Sequence, residues 1–557
     1  MEHRQASPAA TPVRRRALLA GAAGLAAGSA LTLIGASARA QSPGPVVETA
    51  DGKLRGAAAG GVHSFKGIPY AASTEGARFM PPAAAAPWAG VRDAVRFGSS
   101  APQPSPAPDP LASWYGAIEP VGEDCLSLNV FTPGLDGARR PVMVWIHGGA
   151  WSSCAGSAPG FDGTALAKQG DVVVVTVNHR LNVFGYIRLD DKDERFAASG
   201  NAGALDLVAA LQWVRGNVAA FGGDPGNVTI FGQSGGGAKV SALLAMPAAR
   251  GLFHRAIAQS CSGSLRLAGQ EEAARLAHGL AAQLGIGSAN GAALTGAALQ
   301  AVPMGQLIAA LQAMPRPFRP VLDGVQFQQN PFDPAAPALS SDIPFMAGNA
   351  ANEVTLYLAA DPKNFSLDAA EVRRRLARFL QTDDAETGRI MGAYRATLPG
   401  SSPSDLLAAI AIATDYSYRR NTTREAALQS QTARAPVYAY VFDWQTPVMG
   451  GVLKTPHTAE VPFVFGTTQA ASGLVGAGPD LLPLTRTVMA AWVAFARTGN
   501  PGNPALPPWP RYEGAGRSTM MLGMDSKVAS DPGGEARRAL DGLPAFEYSM
   551  PVNYVRA

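Results

Sequence analysis

Residues 228–244 read Val-Thr-Ile-Phe-Gly-Gln-Ser-Gly-Gly-Gly-Ala-Lys-Val-Ser-Ala-Leu-Leu. The first four residues are β-branched or apolar and predict a buried strand, whereas the residues after the glycines suit a helix. Ser234 stands between them and completes the G-x-S-x-G pattern of a sharp strand-to-helix turn. Such a turn holds the serine hydroxyl clear of the sheet, so Ser234 is predicted to be a nucleophile. The chain contains 62 glycines, and a chance match is the alternative.

Apolar runs on either side of this stretch predict more buried strands. They lie at 142–146 and 172–177 before it, and at 344–348 and Val437–Phe442 after it. Between them, residues 201–221 repeat their apolar side chains with a helical period. Strands and helices that alternate in this way are typical of an α/β fold. We therefore predict a mostly parallel central sheet flanked by helices.

Two segments rich in alanine, leucine and arginine are predicted to be helical caps. They span roughly 265–320 and 365–430, and we expect them to cover the C-terminal edge of the sheet, where open α/β folds bind ligands. Proline occupies every second position from 102 to 110. Such a stretch is extended and cannot join a central sheet, so we predict a surface loop that borders the site.

The charge balance bears on the class of partner. The chain has 557 residues and a formal net charge of +4, but residues 1–40 hold five arginines against one glutamate. The rest of the chain carries 41 basic and 41 acidic residues, which gives no electrostatic argument for binding nucleic acid or an anionic membrane. No repeat or charged linker divides this part, so we predict one domain over residues 41–557.

The first forty residues are typical of an export signal. Arg14-Arg15-Arg16 precedes an uncharged Ala/Gly/Leu stretch that runs to Ser37, and Ala38-Arg39-Ala40 offers an A-x-A cleavage site. The arginines resemble a twin-arginine signal, while a Sec signal and an uncleaved membrane anchor are the alternatives. We predict cleavage after Ala40, no stable membrane anchor in the mature chain, and a periplasmic or secreted location.

A serine nucleophile needs a base to take its proton, most often a histidine that is itself held by a carboxylate. In α/β-hydrolases these groups follow the order serine, acid, histidine along the chain. Of the seven histidines, only His457 lies far enough beyond Ser234 to leave room for an acid after a later strand. His457 is therefore the predicted base, and a surface histidine is the alternative.

The acid must lie between the serine and the histidine and follow a strand. Glu353 comes five residues after the predicted strand at 344–348, and it is our prediction. The competitors that also satisfy the chain order and that we weigh against it are Asp323, Asp342, Asp415 and Asp443. Asp323 lies in a predicted turn and Asp342 before a predicted strand. Asp415 lies in a helical segment and Asp443 at a strand end. The sequence favours Glu353 over them without excluding them.

Ester or amide chemistry also needs N–H donors for the oxyanion, and loss of one such donor costs roughly 3 to 4 kcal/mol. One donor is predicted to be the amide of Gly235, the residue after the nucleophile. The loop His147-Gly148-Gly149-Ala150-Trp151 follows the strand at 142–146 and matches an HGG-type oxyanion motif. We interpret His147 as shaping this loop and not as carrying a proton. An ordinary glycine-rich turn is the alternative.

Several motifs together resemble those of the type-B carboxylesterase and cholinesterase family of α/β-hydrolases, and they extend over nearly all of the mature chain. The motifs are Phe65-Lys66-Gly67-Ile68-Pro69-Tyr70, Glu123-Asp124-Cys125-Leu126-Ser127-Leu128-Asn129-Val130, Phe221-Gly222-Gly223-Asp224-Pro225, Phe495-Ala496-Arg497-Thr498-Gly499-Asn500-Pro501 and Trp509-Pro510-Arg511-Tyr512. The resemblance implies an α/β-hydrolase fold with Ser234 as nucleophile, Glu353 as acid and His457 as base.

The chain departs from the family pattern at two places. Gln233 stands where the family usually has a glutamate beside the nucleophile, so a cationic substrate loses a favourable charge. The family's cysteine partner for Cys125 is also absent, so we expect Cys125 to be unpaired. Cys154 and Cys261 are the only other cysteines, and we interpret all three as small packed side chains.

The resemblance further implies that Gly149, Ala150 and Gly235 donate to the oxyanion and that Ser260 supports the triad. The predicted function is hydrolysis of small-molecule carboxylic esters through an acyl-enzyme on Ser234, which requires no metal or organic cofactor. An amidase, a carbamate hydrolase or a lactonase with the same residues is the alternative. A cholinesterase-like binding protein without catalysis is a more remote one.

Overall fold

The strand that ends next to Ser234 is the middle strand of an eleven-stranded sheet. The computed structural model describes residues 44–105, 109–116, 120–261, 265–286, 294–314, 318–400 and 404–546. The predicted export signal lies outside these ranges, as do parts of the proline-rich stretch and of the two predicted helical segments. The described residues from Gly44 onward form one unit.

Fourteen strands occur in the described ranges. In chain order they are β1 (Val46–Thr49), β2 (Gly52–Arg55), β3 (Ala57–Ala59), β4 (Val62–Pro69), β5 (Val91–Asp93), β6 (Ser127–Thr132), β7 (Arg140–Ile146), β8 (Val173–Val177), β9 (Gly223–Gln233), β10 (Arg255–Gln259), β11 (Phe345–Ala350), β12 (Val437–Phe442), β13 (Ser518–Leu522) and β14 (Lys527–Ser530). Strands β1, β2 and β5 form a small separate sheet.

The large sheet has the spatial order β14-β13-β12-β11-β10-β9-β7-β8-β6-β4-β3. Its seven strands from β13 to β8 in this order all run parallel to their neighbours. Antiparallel pairing is confined to the two sides, where β14 flanks β13 and where β6, β4 and β3 follow β8. The predicted α/β fold with a mostly parallel central sheet is therefore confirmed.

Helices surround this sheet on both faces. In chain order they are α1 (Thr164–Gly170), α2 (Asn182–Tyr186), α3 (Ala202–Asn217), α4 (Gly235–Leu244), α5 (Gln270–Leu284), α6 (Gly296–Gln300), α7 (Met304–Gln312), α8 (Thr355–Leu358), α9 (Ala369–Leu380), α10 (Asp384–Thr397), α11 (Asp405–Thr414), α12 (Arg420–Thr432), α13 (Val461–Phe465), α14 (Ser472–Val475), α15 (Leu481–Thr498) and α16 (Gly534–Arg537). A π-helical turn, Asp415–Arg419, joins α11 to α12. Within the described ranges, no helix is both long and apolar enough to cross a bilayer.

The central strands are apolar along their whole length because both of their faces are covered. Successive side chains of a strand point to opposite sides of the sheet. On β7, Val144 accordingly packs into one apolar cluster and Trp145 into another. Leu211 of α3 belongs to the first cluster, and Trp492 of α15 belongs to the second. The continuous apolar runs in the sequence thus reflect a sheet between two helical layers.

The bounds of several elements differ from the predicted ones. The strand predicted from 228 begins at Gly223, because β9 continues alongside Arg140 at the start of β7. The helix predicted over 201–221 ends at Asn217 and continues as a 3-10 turn, Val218–Phe221. Strand β10 was not predicted, since it has only five residues and polar side chains at both ends.

The three cysteines all lie in the interior. Cys125 is a free thiol, as expected from the absence of its family partner. Burial raises the pKa of the Cys154 thiol to about 12, and its Sγ donates to the Tyr115 carbonyl at 2.9 Å. Cys261 Sγ lies 3.9 Å from Ser241 Oγ. The interpretation of the cysteines as packed side chains agrees with these contacts.

Candidate active site

Ser234 occupies a strained position between β9 and α4. Its backbone has φ 60° and ψ −124°, a conformation that L-residues rarely adopt. Its N–H donates to the Gln259 carbonyl of β10 at 2.8 Å, which fixes the turn to the neighbouring strand. Strain of this kind persists only where the surrounding structure holds it, and it is concentrated at functional sites.

The glycines around the serine are required by close packing of backbone on backbone. A Cβ at Gly235 would collide with the backbone of Ala150, and one at Gly236 would collide with the Ile146 carbonyl. A Cβ at Gly237 would lie 2.7 Å from the Gln259 carbonyl. Three consecutive glycines therefore let α4 begin directly against the end of β7 and the loop that follows it.

The structure brings Glu353 and His457 together. His457 Nδ1 lies 2.5 Å from Glu353 Oε2, and both side chains are buried. Glu353 Oε1 accepts hydrogen bonds from Ser260 Oγ and from the Ala350 N–H, each at 2.7 Å. These donors fix the carboxylate, and the carboxylate in turn selects the Nδ1–H tautomer of the imidazole. Nε2 is then the nitrogen that is left to accept a proton.

Ser234 and His457 line one cavity of about 440 Å³. In the part of the chain that the structure describes, their side chains make no direct hydrogen bond, which is common in a site without substrate. Gly149, Ala150 and Tyr115 line the same cavity. Residues of the segment 111–115, just after the proline-rich stretch, thus line the cavity, whereas the described residues of 102–110 do not.

The cavity is aromatic and uncharged. Four aromatic side chains line it, namely Trp114, Tyr115, Tyr357 and Tyr418. No aspartate, glutamate, lysine or arginine lines it within the described ranges. A cavity of this size and lining suits a small, largely apolar molecule.

Two tyrosines pack against the imidazole of His457. The ring centroid of Tyr418 lies 4.9 Å from that of His457, and that of Tyr357 lies 5.6 Å away. Their hydroxyls are 2.8 Å apart. Tyr418 belongs to the π-helical turn, a rare conformation that is frequent at functional sites. Through this turn, the second predicted cap segment contributes Tyr418 to the lining of the cavity.

The loop after β7 carries the other predicted groups. Gly149 and Ala150 have φ values of 72° and 55°. The N–H groups of Gly149, Ala150 and Gly235 donate to no other group in the described ranges, so they are available to a ligand. The Gly149 carbonyl instead accepts from the N–H groups of Ser152 and Ser153 at 3.1 and 3.0 Å. Gly149 and Ala150 also line the cavity beside Ser234, so their N–H groups are candidates to bind a ligand there.

His147 does not line the cavity that holds Ser234 and His457. Its ring is buried and stacks on His179 at 4.8 Å between centroids. Burial and the charge of Lys239 hold the pKa of His147 well below its usual value, so it stays neutral. Its Nδ1 lies 3.1 Å from the Gly148 carbonyl. These contacts agree with its interpretation as a residue that shapes the loop.

The rival carboxylates have other surroundings. Asp323 accepts from the backbone N–H groups of its own turn, and Asp342 pairs with Arg434 on the surface. Asp415 accepts from Tyr394 Oη at 2.8 Å, and Asp443 is exposed at the end of β12. The structure brings none of them to the cavity that holds Ser234 and His457.

Two more polar residues lie near the site: Gln233, which the sequence analysis singled out, and Glu460, which it did not. Gln233 Nε2 lies 3.3 Å from His457 Nε2, and its Oε1 accepts from Tyr115 Oη at 3.0 Å. Glu460 is buried, and burial together with the charge of Glu353 raises its pKa to about 8. Glu460 is therefore protonated at neutral pH and adds no second negative charge. No cluster of metal-ligating side chains occurs in the described ranges.

Comparison with known proteins places this geometry in a family. A family model described as the carboxylesterase family matches residues 43–538. Para-nitrobenzyl esterase of Bacillus subtilis (strain 168) is 38% identical over 505 residues, covering 89% of this chain and 98% of that protein. Phenmedipham hydrolase of Pseudarthrobacter oxydans is 34% identical over 506 residues, covering 87% of this chain and 97% of that protein.

Solved structures lead to the same family. The crystal structure of a carboxylesterase of Geobacillus stearothermophilus superposes with a TM-score of 0.77 at 39% identity, and the match covers 89% of this chain and 99% of that one. The resemblance inferred from the motifs is thereby confirmed, and so is the α/β-hydrolase fold. The chain belongs to the carboxylesterase family, and its enzyme class is that of the carboxylic ester hydrolases.

Proposed function

We propose that the protein is an exported esterase that hydrolyses small carboxylic esters through an acyl-enzyme on Ser234. The observation that carries this proposal is the buried Glu353–His457 pair, joined at 2.5 Å, beside a cavity that also holds a serine in a strained turn. A serine, a histidine with one nitrogen held by a carboxylate, and free N–H groups are the parts that acyl transfer requires.

In the first half of the reaction, the Oγ–H proton of Ser234 passes to His457 Nε2 while Oγ bonds to the ester carbonyl carbon. The carbonyl π electrons move onto oxygen, and the N–H groups of Gly149, Ala150 and Gly235 stabilise that oxyanion. The tetrahedral intermediate then collapses, the bond to the alkoxy oxygen breaks, and His457 returns its proton to the leaving alcohol. Throughout, Glu353 stabilises the imidazolium without taking its proton.

In the second half, a water molecule replaces the alcohol. His457 accepts a proton from the water as its oxygen attacks the acyl carbon, and the same N–H groups hold the second oxyanion. The bond to Ser234 Oγ then breaks, the proton returns to Oγ, and the carboxylic acid leaves. The serine enters the next cycle unchanged.

The lining of the cavity supports a preference for uncharged esters with apolar or aromatic parts. Trp114 and Tyr115 offer aromatic surface, whereas no ionised carboxylate lines the cavity within the described ranges. Gln233, in place of the usual glutamate, adds no negative charge next to the nucleophile. A cationic alcohol therefore has little electrostatic attraction to this site.

The proposal is tested by the Ser234→Ala variant. We expect kcat on p-nitrophenyl esters to fall on the order of 10⁶-fold, since the nucleophile and its base act as a unit. A fluorophosphonate should label the wild type at Ser234, as mapped by peptide mass spectrometry. Labelling at another residue, together with full turnover by Ser234→Ala, would falsify the assignment. Matched ester, amide, carbamate and lactone substrates then rank the activities.

Export rests on the arginines at 14–16 and the A-x-A site at Ala38-Arg39-Ala40. We expect the mature protein to begin at Gln41 when it is expressed in a bacterium with two membranes. N-terminal sequencing of the periplasmic and cytoplasmic fractions measures this directly. Replacement of Arg14, Arg15 and Arg16 by lysine should trap a twin-arginine substrate in the cytoplasm, while a Sec substrate would still be exported.

A further inference from the structure

A lysine lies buried behind the loop that presents the oxyanion donors. Lys239 is on α4, five residues after Ser234, and its side chain is fully buried. None of the ion pairs found in the described ranges involves it. An ammonium group withdrawn from water without a counter-ion is strongly destabilising unless its protons find acceptors.

Three backbone carbonyls of the loop receive these protons. Lys239 Nζ donates to the His147 carbonyl at 2.9 Å and to the Ala150 carbonyl at 2.8 Å. The Gly148 carbonyl lies between them, 3.4 Å from Nζ. The ring of Trp151 lies 5.5 Å from Nζ, a distance at which a cation attracts an aromatic face. One side chain thus contacts four of the five loop residues.

The geometry of a peptide group connects these carbonyls to the oxyanion donors. In a trans peptide, the C=O and N–H bonds point in opposite directions. Lys239 and the ring of His147 draw the Gly148 carbonyl towards the buried side. The N–H of the same peptide group belongs to Gly149, and it therefore points away from the lysine, towards the cavity that Gly149 lines.

The next peptide group is held by different partners. The Gly149 carbonyl accepts from Ser152 N–H and Ser153 N–H, and Ser153 Oγ adds a contact at 3.3 Å. These bonds orient the Ala150 N–H, while Lys239 holds the Ala150 carbonyl on the far side of that residue. Lys239 thus binds the carbonyl of the peptide group that carries the Gly149 N–H. It also binds the Ala150 carbonyl, which is next to the peptide group that carries the Ala150 N–H.

We propose that Lys239 is a positioning residue for ester hydrolysis, whose ammonium group fixes the loop so that the N–H groups of Gly149 and Ala150 point at the developing oxyanion. The inference rests on the proposed function of Ser234 as nucleophile. The positive charge behind the loop also favours the oxyanion, because preorganised charge in a buried site acts strongly on charge that develops in the transition state.

The titratable groups that face Lys239 are uncharged. His147 and His179 lie on one side, and burial with the charge of the lysine holds the pKa of each well below its usual value. Cys154 lies close by and stays protonated, since burial raises its pKa. Burial lowers the pKa of Lys239 itself to about 7. Its charge consequently changes near neutral pH.

The test replaces Lys239 by methionine, which keeps an unbranched side chain of similar length but donates no hydrogen bond. We expect kcat on a p-nitrophenyl ester to fall about 100-fold with KM changed less than threefold, because the loop contributes mainly in the transition state. Affinity for an aryl trifluoromethyl ketone, which adds Ser234 Oγ to form a stable oxyanion, should fall by a similar factor. An unchanged kcat, or a loss confined to KM, overturns the proposal.

Ser241→Ala is the matched control. Ser241 lies on the same helix and is equally buried, but its Oγ donates to Glu425 at 2.5 Å and does not contact the loop. This variant should lose thermal stability without the selective loss of kcat and inhibitor affinity. An equal fall in kcat for both variants would show that Lys239→Met acts through general damage to α4.

Two further experiments cover the case in which Lys239→Met does not fold. Lys239→Gln keeps two N–H donors and should recover part of the lost kcat. A crystal structure of the wild type with the trifluoromethyl ketone should place the oxyanion on the loop N–H groups with Lys239 still bound behind them, and a reversed peptide group at Gly148 contradicts the inference. An inactive wild type that forms no adduct overturns the proposed function as well, whereas an active wild type with an equally active Lys239→Met overturns the lysine inference alone.

Discussion

Glu353 and Lys239 are both buried charged side chains of the site, but they are bound by different kinds of group. The Glu353 carboxylate accepts hydrogen bonds from a serine hydroxyl, from a backbone N–H and from the imidazole of His457. Lys239 donates only to backbone carbonyls of the loop after β7. The partners of Glu353 therefore include a side chain that can gain and lose a proton, whereas the partners of Lys239 are peptide groups that cannot.

The difference shows how one fold separates two tasks. A proton must move during the reaction, so the carboxylate is paired with an imidazole whose charge changes. The proposed oxyanion donors must stay in place, and Lys239 bonds to backbone carbonyls, which do not titrate. Each charge is offset by several hydrogen bonds, and bonds to charged groups contribute about 1.5 to 3 kcal/mol apiece. We expect substitutions in the two regions to differ in what they change.

The largest effect after removal of the nucleophile should come from Glu353→Gln. The amide keeps the volume of the side chain, but it cannot stabilise the imidazolium or select the same tautomer, so kcat should fall about 10⁴-fold. KM should change little. Steady-state kinetics on p-nitrophenyl acetate measure both, with thermal unfolding as a check that the variant folds. If a tenth of the wild-type kcat survives, the acid lies elsewhere.

A smaller effect, on substrate preference, is expected when a second negative charge is added to the site besides that of Glu353. In Gln233→Glu, the new carboxylate lies beside the nucleophile and attracts a cationic substrate. The ratio of kcat/KM for acetylcholine to that for its neutral isostere, 3,3-dimethylbutyl acetate, should rise about fivefold, which corresponds to ~1 kcal/mol.

High salt should reduce the gain in Gln233→Glu only slightly, because position 233 is buried and salt screens buried charges weakly. The wild type, measured in parallel, should show little dependence of this ratio on salt. A ratio that stays the same in the variant would mean that the alcohol part of the substrate does not bind near position 233.

The smallest effect on activity is expected for Glu425→Gln, since this buried glutamate contacts Ser241 and does not line the cavity. Burial raises the pKa of Glu425 from 4.5 to about 8. Between these values the folded protein binds one proton more than the unfolded chain, so the free energy of unfolding falls as pH rises, by about 1.4 kcal/mol per unit. This stabilisation is fully present below about pH 4.5 and is lost as pH passes about 8.

The Gln variant lacks this titration. Its free energy of unfolding, from urea denaturation at pH 5, 6 and 7, should decline less steeply than that of the wild type, while kcat is unchanged. Parallel slopes for the two proteins would mean that Glu425 is ionised in the folded state and is stabilised in the way Glu353 is.

The sequence is sufficient to predict the elements whose signal is local. The runs at 142–146, 172–177 and Val437–Phe442 are apolar because both faces of these strands are covered, and the structure contains strands at all three. The pairing of Glu353 with His457 could be anticipated from chain order, because parallel strands bring the loops after β11 and β12 to the same edge.

Other features depend on contacts between distant residues and leave little local signal. Lys239 lies in an Ala/Gly/Ser-rich helix, where a single lysine is ordinarily read as exposed, and only the approach of α4 to the loop after β7 makes it a binding group. Tyr357 and Tyr418 are 61 positions apart in the sequence, yet both contact His457. Tyr418 does so from a π-helical turn, which no residue pattern predicts.

The three residues of the proposed triad follow three different parallel strands, and this order bears on when ester turnover can begin during synthesis. Ser234 follows β9, Glu353 follows β11 and His457 follows β12, so a nascent chain that has emerged as far as residue 400 already holds the serine and the carboxylate but not the histidine. On the proposed assignment, any product of premature termination or of proteolysis before His457 lacks the base that activates Ser234. Ester turnover would then report a chain that extends past His457, and shorter nascent chains would not attack esters in the cell that makes them.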